Sequence, residues 1–238
     1  MGHALRKSNP KSAGGTDTDL KTSNSKGQNS KGIQRIISRI TCSESACPAN
    51  DDGGGTREPG ILSCLSDPRA KELLRTTWID DFGLLYDLGT DIYNEIFRLD
   101  PSTKKLFKAL DGYDLEKDPE ALRRCPGFSK QALRFIQTVT MTVRNCSRLW
   151  TIDDYLRDIG RRHVQYKQQG FEPRHWHVFE TAMANVIEDR AVNKLALNDT
   201  DRAILADAYR QLSRHIVASM TAGFLEQEKE DRLKLGVK

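Results

Sequence analysis

Apolar residues recur at helical spacing along most of the chain after residue 66. The sequence Ser66-Asp67-Pro68 is typical of a capped helix start, and apolar residues at 73, 74, 78 and 82 continue one helical face. Further helical patterns cover residues 84–99, 128–149, 151–167, 173–189 and 200–226. We find no convincing strand-like alternation after residue 66, so the pattern predicts an all-α domain.

Short segments with turn chemistry separate the predicted helices. Asp100-Pro101 starts a turn, Asp118-Pro119 begins a small helix and Asn198-Asp199-Thr200 supplies caps. Within the helix over 151–167, Thr151 and Asp154 have the spacing of a capping box. About 160 residues can bury a real core. Helix counting alone would also permit a four-helix bundle or another helical array.

The first 62 residues lack this helical patterning and predict a disordered basic tail. They are rich in Ser, Gly, Asn, Asp, Thr and Lys, and offer too little apolar surface to offset chain entropy. Eight basic and two acidic residues give the first forty a net charge of +6. Four isoleucines between 33 and 40 fit a short basic amphipathic helix, although so short a segment cannot hold a helix alone in water and its periodicity is equally consistent with chance.

The amino-acid composition limits the classes of protein to which the chain can belong. In the 238 residues, 37% are apolar and 29% charged, which is ordinary for a soluble protein. No run approaches the roughly 18 apolar residues of a membrane span. The net charge of +4 does not by itself indicate a nucleic-acid partner. Five cysteines without a regular framework, and no apolar signal core before them, predict free thiols and a cytoplasmic location.

The amino terminus is a partial match to an acylation signal. Gly2 follows the initiator methionine, but Arg6 stands where N-myristoylation usually requires Ser or Thr. One acyl chain anchors weakly, so stable membrane residence would need the basic tail, the isoleucine face, or palmitoylation of Cys42 or Cys47. If Gly2 is acylated, the sequence therefore predicts membrane association through the tail.

One histidine stands out near the end of the helix predicted over 151–167. Apolar residues at 152, 155, 156 and 159 precede His163, and Pro173 begins the next helix after Gly170. Taken alone, Arg161-Arg162-His163 is also an ordinary solvated basic turn. The pattern aromatic, Leu, two variable residues, Ile, Gly, two basic residues, His closely resembles the proximal-histidine segment of globins, particularly neuroglobin-like and nematode members.

Other segments resemble globins in the right order. Trp78 resembles the tryptophan of the first helix, and DPSTKKLF, ending at Phe107, resembles the turn that supplies the haem-packing phenylalanine. The stretch from 128 to 146 resembles the distal helix and places Gln131 where histidine is usual. Counting back from Phe107 places Tyr93 at a ligand-facing position. The resemblance covers about residues 66 to 224, and the turn between His163 and the next helix is slightly longer than in vertebrate globins.

The resemblance implies a globin fold of about seven to eight helices around a haem b group. His163 would be the protein ligand of the iron, with Tyr93 and Gln131 as donors to dioxygen. The residues expected to contact the cofactor are His163, Phe107, Gln131, Phe135, Tyr93 and Phe171. Without the resemblance, Tyr93 would be an ordinary core tyrosine and Gln131 an exposed helical residue. Because an amide ligates iron poorly compared with imidazole, the sixth position is expected to be open in the ferrous protein.

These inferences predict three regions: a tail over 1–62, a globin domain over 63–228 and a charged carboxy-terminal tail over 229–238. The predicted function is reversible binding of dioxygen and other diatomic gases, in transport, storage or sensing. A redox enzyme acting on superoxide, nitrite or nitric oxide, and a haem-based signalling module, are the alternatives. No catalytic residue is assigned, and the oligomeric state stays open. Zinc binding by His175 and His177 would need further ligands that their spacing does not supply.

Overall fold

The computed structural model describes residues 60–118, 120–192 and 195–236. All regular secondary structure in these residues is helical, which confirms the predicted all-α class. The predicted tail helix at 33–40 and the acylation site at Gly2 lie outside the described residues.

The described part of the chain contains seven α-helices: α1 Pro68–Thr77, α2 Phe82–Leu99, α3 Ala121–Arg124, α4 Pro126–Arg144, α5 Asp153–His163, α6 His175–Ile187 and α7 Asp199–Lys234. Shorter helical segments connect them: 3₁₀ turns at Pro101–Leu106, Lys108–Leu110, Leu149–Ile152 and Val164–Gln169, and a π-helical turn at Glu188–Val192. The long α7 packs against α1, α5 and α6, while α2 packs against α4 and α6.

Helix starts follow local capping chemistry. The Asp67 carboxylate accepts from the Arg69 amide at 2.8 Å, and Pro68 occupies the first position of α1. The Asn198 side chain accepts from the Asp201 amide at 2.8 Å and caps α7. Both predicted starts are thereby confirmed, because a cap depends only on residues close in sequence.

The predicted capping box before α5 is wrong. The Thr151 hydroxyl instead donates to the Arg148 carbonyl at 2.8 Å, inside the 3₁₀ turn that leads into α5 without a side-chain cap. Helix bounds also differ: α4 ends at Arg144 rather than 149, and α5 gives way to a 3₁₀ turn directly after His163. Gly170, with φ of 89°, ends that turn in the left-handed region that glycine favours.

Helices α5 and α7 approach at backbone distance. A Cβ atom at Gly160 would lie 1.9 Å from the Met220 carbonyl oxygen, and one at Gly223 would lie 2.0 Å from that of Arg157. The pairing of 160 with 220 and of 157 with 223 makes the two helices antiparallel. Neither glycine has room for even a methyl group. This crossing fixes α5 against α7 three residues before His163.

A short segment before α1, Gly60–Leu65, lies against the helices; we term it the junction segment. The Leu65 amide donates to the Cys146 carbonyl at 2.9 Å, and the Trp150 amide donates to the Ser63 carbonyl at 3.2 Å. A Cβ atom at Gly60 would lie 3.2 Å from the Cβ of Ala218 on α7. The predicted region boundaries at 62/63 and 228/229 stay predictions, while α7 continues as a helix to Lys234.

Gly160→Ala should destabilise the protein by about 1–3 kcal/mol or more, because the added methyl group must separate two packed backbones. The free energy of unfolding from urea titration measures the effect. Gly83→Ala is the matched control, since a Cβ there meets only the Asp81 side chain, at 3.2 Å. Equal stabilities for the two variants would contradict the importance of the crossing.

Candidate functional site

His163, the last residue of α5, lies among aromatic side chains. Its ring centroid is 5.3 Å from those of Phe171 and Trp176 and 5.6 Å from that of Tyr166. Phe171 and Trp176 also contact Phe224 of α7, with centroids 5.9 Å away in both cases. We term these five residues the His163 cluster. The structure thus brings Phe171 and His163 together, as the resemblance implies.

Hydrogen bonding determines which ring nitrogen of His163 is available as a ligand. Nδ1 lies 2.8 Å from the Ile159 carbonyl oxygen, and a carbonyl can only accept, so Nδ1 carries the proton. Nε2 therefore keeps its lone pair. Burial lowers the pKa of His163, the bond to Ile159 opposes that change, and the positive charge of Arg162 lowers the pKa further. A neutral imidazole with a free Nε2 is what iron requires of a histidine ligand.

A second aromatic group surrounds Tyr93 of α2. The Tyr93 ring meets the edges or faces of three phenylalanines in T-shaped contacts, with centroids 5.5 Å from Phe107, 4.9 Å from Phe128 and 5.4 Å from Phe135. The Tyr93 side chain is only 6% exposed. We term Tyr93, these phenylalanines and Gln131 the Tyr93 cluster. Four of the six residues predicted to contact the cofactor therefore lie together.

The polar centre of this cluster is a hydrogen bond between two side chains. Nε2 of Gln131 donates to the Tyr93 hydroxyl oxygen at 3.1 Å. That arrangement leaves the tyrosine O–H and the second amide hydrogen of Gln131 free to donate elsewhere. Burial raises the pKa of Tyr93 to about 12, although the bond from Gln131 acts in the opposite direction. The hydroxyl is therefore protonated, and a donor, at neutral pH.

Helix α6 contacts both clusters. Trp176 belongs to the His163 cluster, and Phe179, one turn later, meets Phe135 in a T-shaped contact with centroids 4.8 Å apart. Residues three apart share a helix face, so one face of α6 connects the two groups. Trp176 and Phe179 were not predicted to belong to the site. Their i, i+3 spacing indicates an apolar face but not what that face covers.

A family model provides the deciding comparison: the globin model matches residues 90–216, more than half of the chain. The chain belongs to the globin family. This confirms the resemblance read from the sequence, and the matched range contains Tyr93, Phe107, Gln131, Phe135 and His163.

One curated nematode protein is similar in sequence to this globin. Globin-related protein glb-13 of Caenorhabditis elegans is 28% identical over 141 residues, covering 59% of this chain and 45% of that protein. The chain thus spans less than half the length of that curated relative.

Two solved structures share the fold. A hexacoordinated heme protein from an anhydrobiotic tardigrade, at pH 4, aligns with TM-score 0.56 and 19% identity over 67% of this chain and 95% of its own. Globin-like protein Glb-12 from C. elegans aligns with TM-score 0.55 and 21% identity, over 75% and 98% of the two chains. These matches, together with the helical structure, confirm the predicted globin fold.

The other histidines among the described residues of this globin have different surroundings. Nδ1 of His175 accepts from the Glu172 amide at 3.0 Å, and the exposed His177 lies 3.8 Å from the Glu180 carboxylate. His215 is fully buried on α7. Among the described residues, no three His, Cys, Asp or Glu side chains are grouped to hold a metal ion. Nor does any helix in the described ranges have the length and apolar character needed to cross a membrane.

Tyr93 should make stability depend on pH in the alkaline range. Its folded pKa of about 12 exceeds the unfolded value of about 10, so its contribution is complete below pH 10 and lost as pH rises through 12. Wild type should lose about 2–3 kcal/mol at most more than Tyr93→Phe over this range, because Tyr209, whose pKa burial also raises, contributes equally to both proteins. Urea unfolding of both proteins at pH 8, 10 and 11.5 measures it. If the free energy of unfolding changed equally with pH in the two proteins, the raised pKa of Tyr93 would be contradicted.

Proposed function

We propose that this globin binds haem b through Nε2 of His163 and reversibly binds dioxygen on the opposite face of the haem. The observation that carries the proposal is the hydrogen bond from Gln131 to Tyr93 inside an aromatic cluster, 3.1 Å long. Tyr93 and Gln131 are hydrogen-bonded to each other, and each keeps a further donor hydrogen. Such a pair can donate to a small polarisable ligand. Haem supplies a ferrous iron that binds diatomic gases.

The side chains of the His163 cluster and of the Tyr93 cluster are both suited to contact a haem group. The His163 cluster offers one neutral imidazole, oriented by the Ile159 carbonyl and surrounded by aromatic rings. The Tyr93 cluster offers aromatic walls from Phe107 and Phe135. With haem bound, such walls would limit the access of water to the iron and so slow its oxidation, and the Tyr93 O–H and the second amide hydrogen of Gln131 would be available to donate to a polarised ligand.

An open sixth coordination position distinguishes this proposal from hexacoordination, which the name of the tardigrade neighbour records for that protein. Gln131 stands at the position where globins usually carry a distal histidine, and its amide nitrogen is engaged with Tyr93. An amide is a poor iron ligand compared with imidazole. We therefore propose a ferrous protein whose sixth position is free for gas.

The two fully described buried thiols do not favour the redox-enzyme alternative. Cys125 Sγ lies 3.2 Å from the Ala109 carbonyl oxygen, and burial raises the pKa of the Cys146 thiol. A buried thiol with a raised pKa is a poor nucleophile and a poor electron donor. We therefore propose gas binding or gas sensing in the cytoplasm, with a redox enzyme that receives electrons from a reductase as the alternative; acylation of Gly2 would add membrane association.

His163→Gly should abolish stable haem retention, because His163 is the only imidazole in the His163 cluster. Absorption spectra in the ferric, ferrous and oxygenated states measure retention, and added imidazole should restore it. His175→Ala is the matched control and should keep the wild-type spectrum, since His175 is engaged with the Glu172 amide. Haem loss in His175→Ala with retention in His163→Gly would overturn the ligand assignment.

Tyr93→Phe and Gln131→Leu should each speed dioxygen dissociation by about tenfold or more, because a hydrogen bond to a charged acceptor contributes roughly 1.5–3 kcal/mol. Stopped-flow mixing measures the rates. Carbon monoxide, which is polarised less, serves as the control ligand and should respond much more weakly. The double variant should differ from the sum of the single effects, because the two side chains are hydrogen-bonded to each other. If the dioxygen dissociation rates of both single variants stay within about twofold of wild type, Tyr93 and Gln131 do not donate to bound dioxygen.

A further inference from the structure

His215 is a fully buried histidine that belongs to neither aromatic cluster, with 0% of its surface exposed. Its Nδ1 accepts a hydrogen bond from the Leu62 amide at 3.1 Å, so the proton of the neutral ring is on Nε2. Nε2 lies 3.2 Å from a carboxylate oxygen of Asp153. Nε2 makes no hydrogen bond of acceptable geometry, so the contact with Asp153 is electrostatic rather than a well-aligned bond.

Asp153 is the first residue of α5, the helix that ends at His163. The Ser219 hydroxyl, also on α7, donates to the same Asp153 oxygen at 3.4 Å. Two α7 side chains therefore hold the start of α5, and the glycine crossing holds the same helix near its end. A displacement of α5 relative to α7 would have to change the contacts of Asp153 with His215 and Ser219.

His215 also faces the junction segment on its other edge. The Leu62 amide is bound directly to His215, and one and three residues later the same segment is hydrogen-bonded to the backbone of Trp150 and of Cys146. The buried His215 ring thus contacts the junction segment through Nδ1 and the first residue of α5 through Nε2. The junction segment continues the predicted tail in the sequence, and eight basic residues of that tail lie within its first forty positions.

We propose that His215 and Asp153 couple the junction segment to ligand binding at the haem. The inference rests on the proposed function, because it requires haem on His163. A ligand-dependent shift of His163 would tilt α5 about its crossing with α7 and so change the contacts of Asp153, which acts through His215 on the Leu62 amide. By linkage, a change imposed on the junction segment alters gas affinity by the same factor. Asp153 and His215 are positioning residues, since neither belongs to the His163 or Tyr93 cluster.

Hydrogen exchange at the Leu62 amide tests the coupling, since exchange reports the local opening of that bond. The full-length haem protein is compared in its ferrous, ligand-free state and with carbon monoxide bound. We expect the Leu62 exchange rate to differ by about fivefold or more between the two states. Asp153→Asn should abolish the difference. Asp154→Asn, an exposed neighbour in the same helical turn, removes an equal charge and should preserve it.

A second pair of variants tests the reverse direction without altering α5. Leu62→Pro removes the amide hydrogen that His215 accepts, and Leu62→Ala keeps it. Leu62→Pro should change the equilibrium affinity for carbon monoxide by about fivefold or more relative to Leu62→Ala. The low-frequency iron–histidine Raman band of the ferrous protein should shift in Leu62→Pro as well, which loss of general stability alone would not produce.

The outcomes separate the coupling from the proposed function. If haem and carbon monoxide bind normally but Leu62 exchange is the same within about twofold in both states, the coupling is overturned and the function stands. Equal behaviour of Asp153→Asn and Asp154→Asn removes Asp153 from the path. If Asp153→Asn does not fold, the Leu62 variants provide the test alone, and equal carbon monoxide affinities of Leu62→Pro and Leu62→Ala overturn the proposal. A full-length protein that retains no haem overturns both.

Discussion

The backbone contact between α5 and α7 is the constraint on which the rest of the site depends. Helix α5 has eleven residues, of which only Leu156 and Gly160 are buried. So short a helix is marginal in water without tertiary support. The close approach at Gly160 and Gly223 permits backbone dispersion contacts and Cα–H···O bonds that larger residues would prevent. Arg157 and Arg161 add ion pairs to Glu226 across the same crossing.

The Tyr93 cluster shows how burial serves both packing and chemistry. The ring of Tyr93 fills space among phenylalanines, while its hydroxyl needs a partner because an unsatisfied buried polar group is costly. Gln131 supplies that partner through its amide group. The same low-dielectric surroundings that penalise a lone hydroxyl strengthen whatever hydrogen bond it makes. A site of this kind can discriminate between ligands of similar size that differ in polarity.

Local features were predictable from the sequence, and features set by distant contacts were not. Asp67 and Asn198 cap helices because their partners lie two or three residues away. The end of α4 could not be predicted, since the apolar pattern continues beyond Arg144 while the backbone turns to meet the junction segment. The fold and the grouping of Tyr93 with Gln131 followed from resemblance rather than from periodicity.

Two long-range features had no signal in the sequence. Gly160 inside a helix indicates weakened helix propensity, and only the structure shows that α7 occupies the space where its side chain would be. His215 near the end of the chain looks like one more helical polar residue. Its burial depends on Leu62, 153 residues earlier, and on Asp153 in a different helix.

The 3₁₀ turn that follows His163 has a kinetic consequence. None of the residues in Val164–Gln169 is buried, whereas α5 on the other side of the histidine is fixed to α7. Segments with few buried contacts open at much lower free energy than the whole domain. The cofactor would therefore leave by local opening of this turn rather than by global unfolding. The lifetime of the holoprotein would then be set by this turn, in which five of six residues are exposed, largely independently of how stable the helical core is.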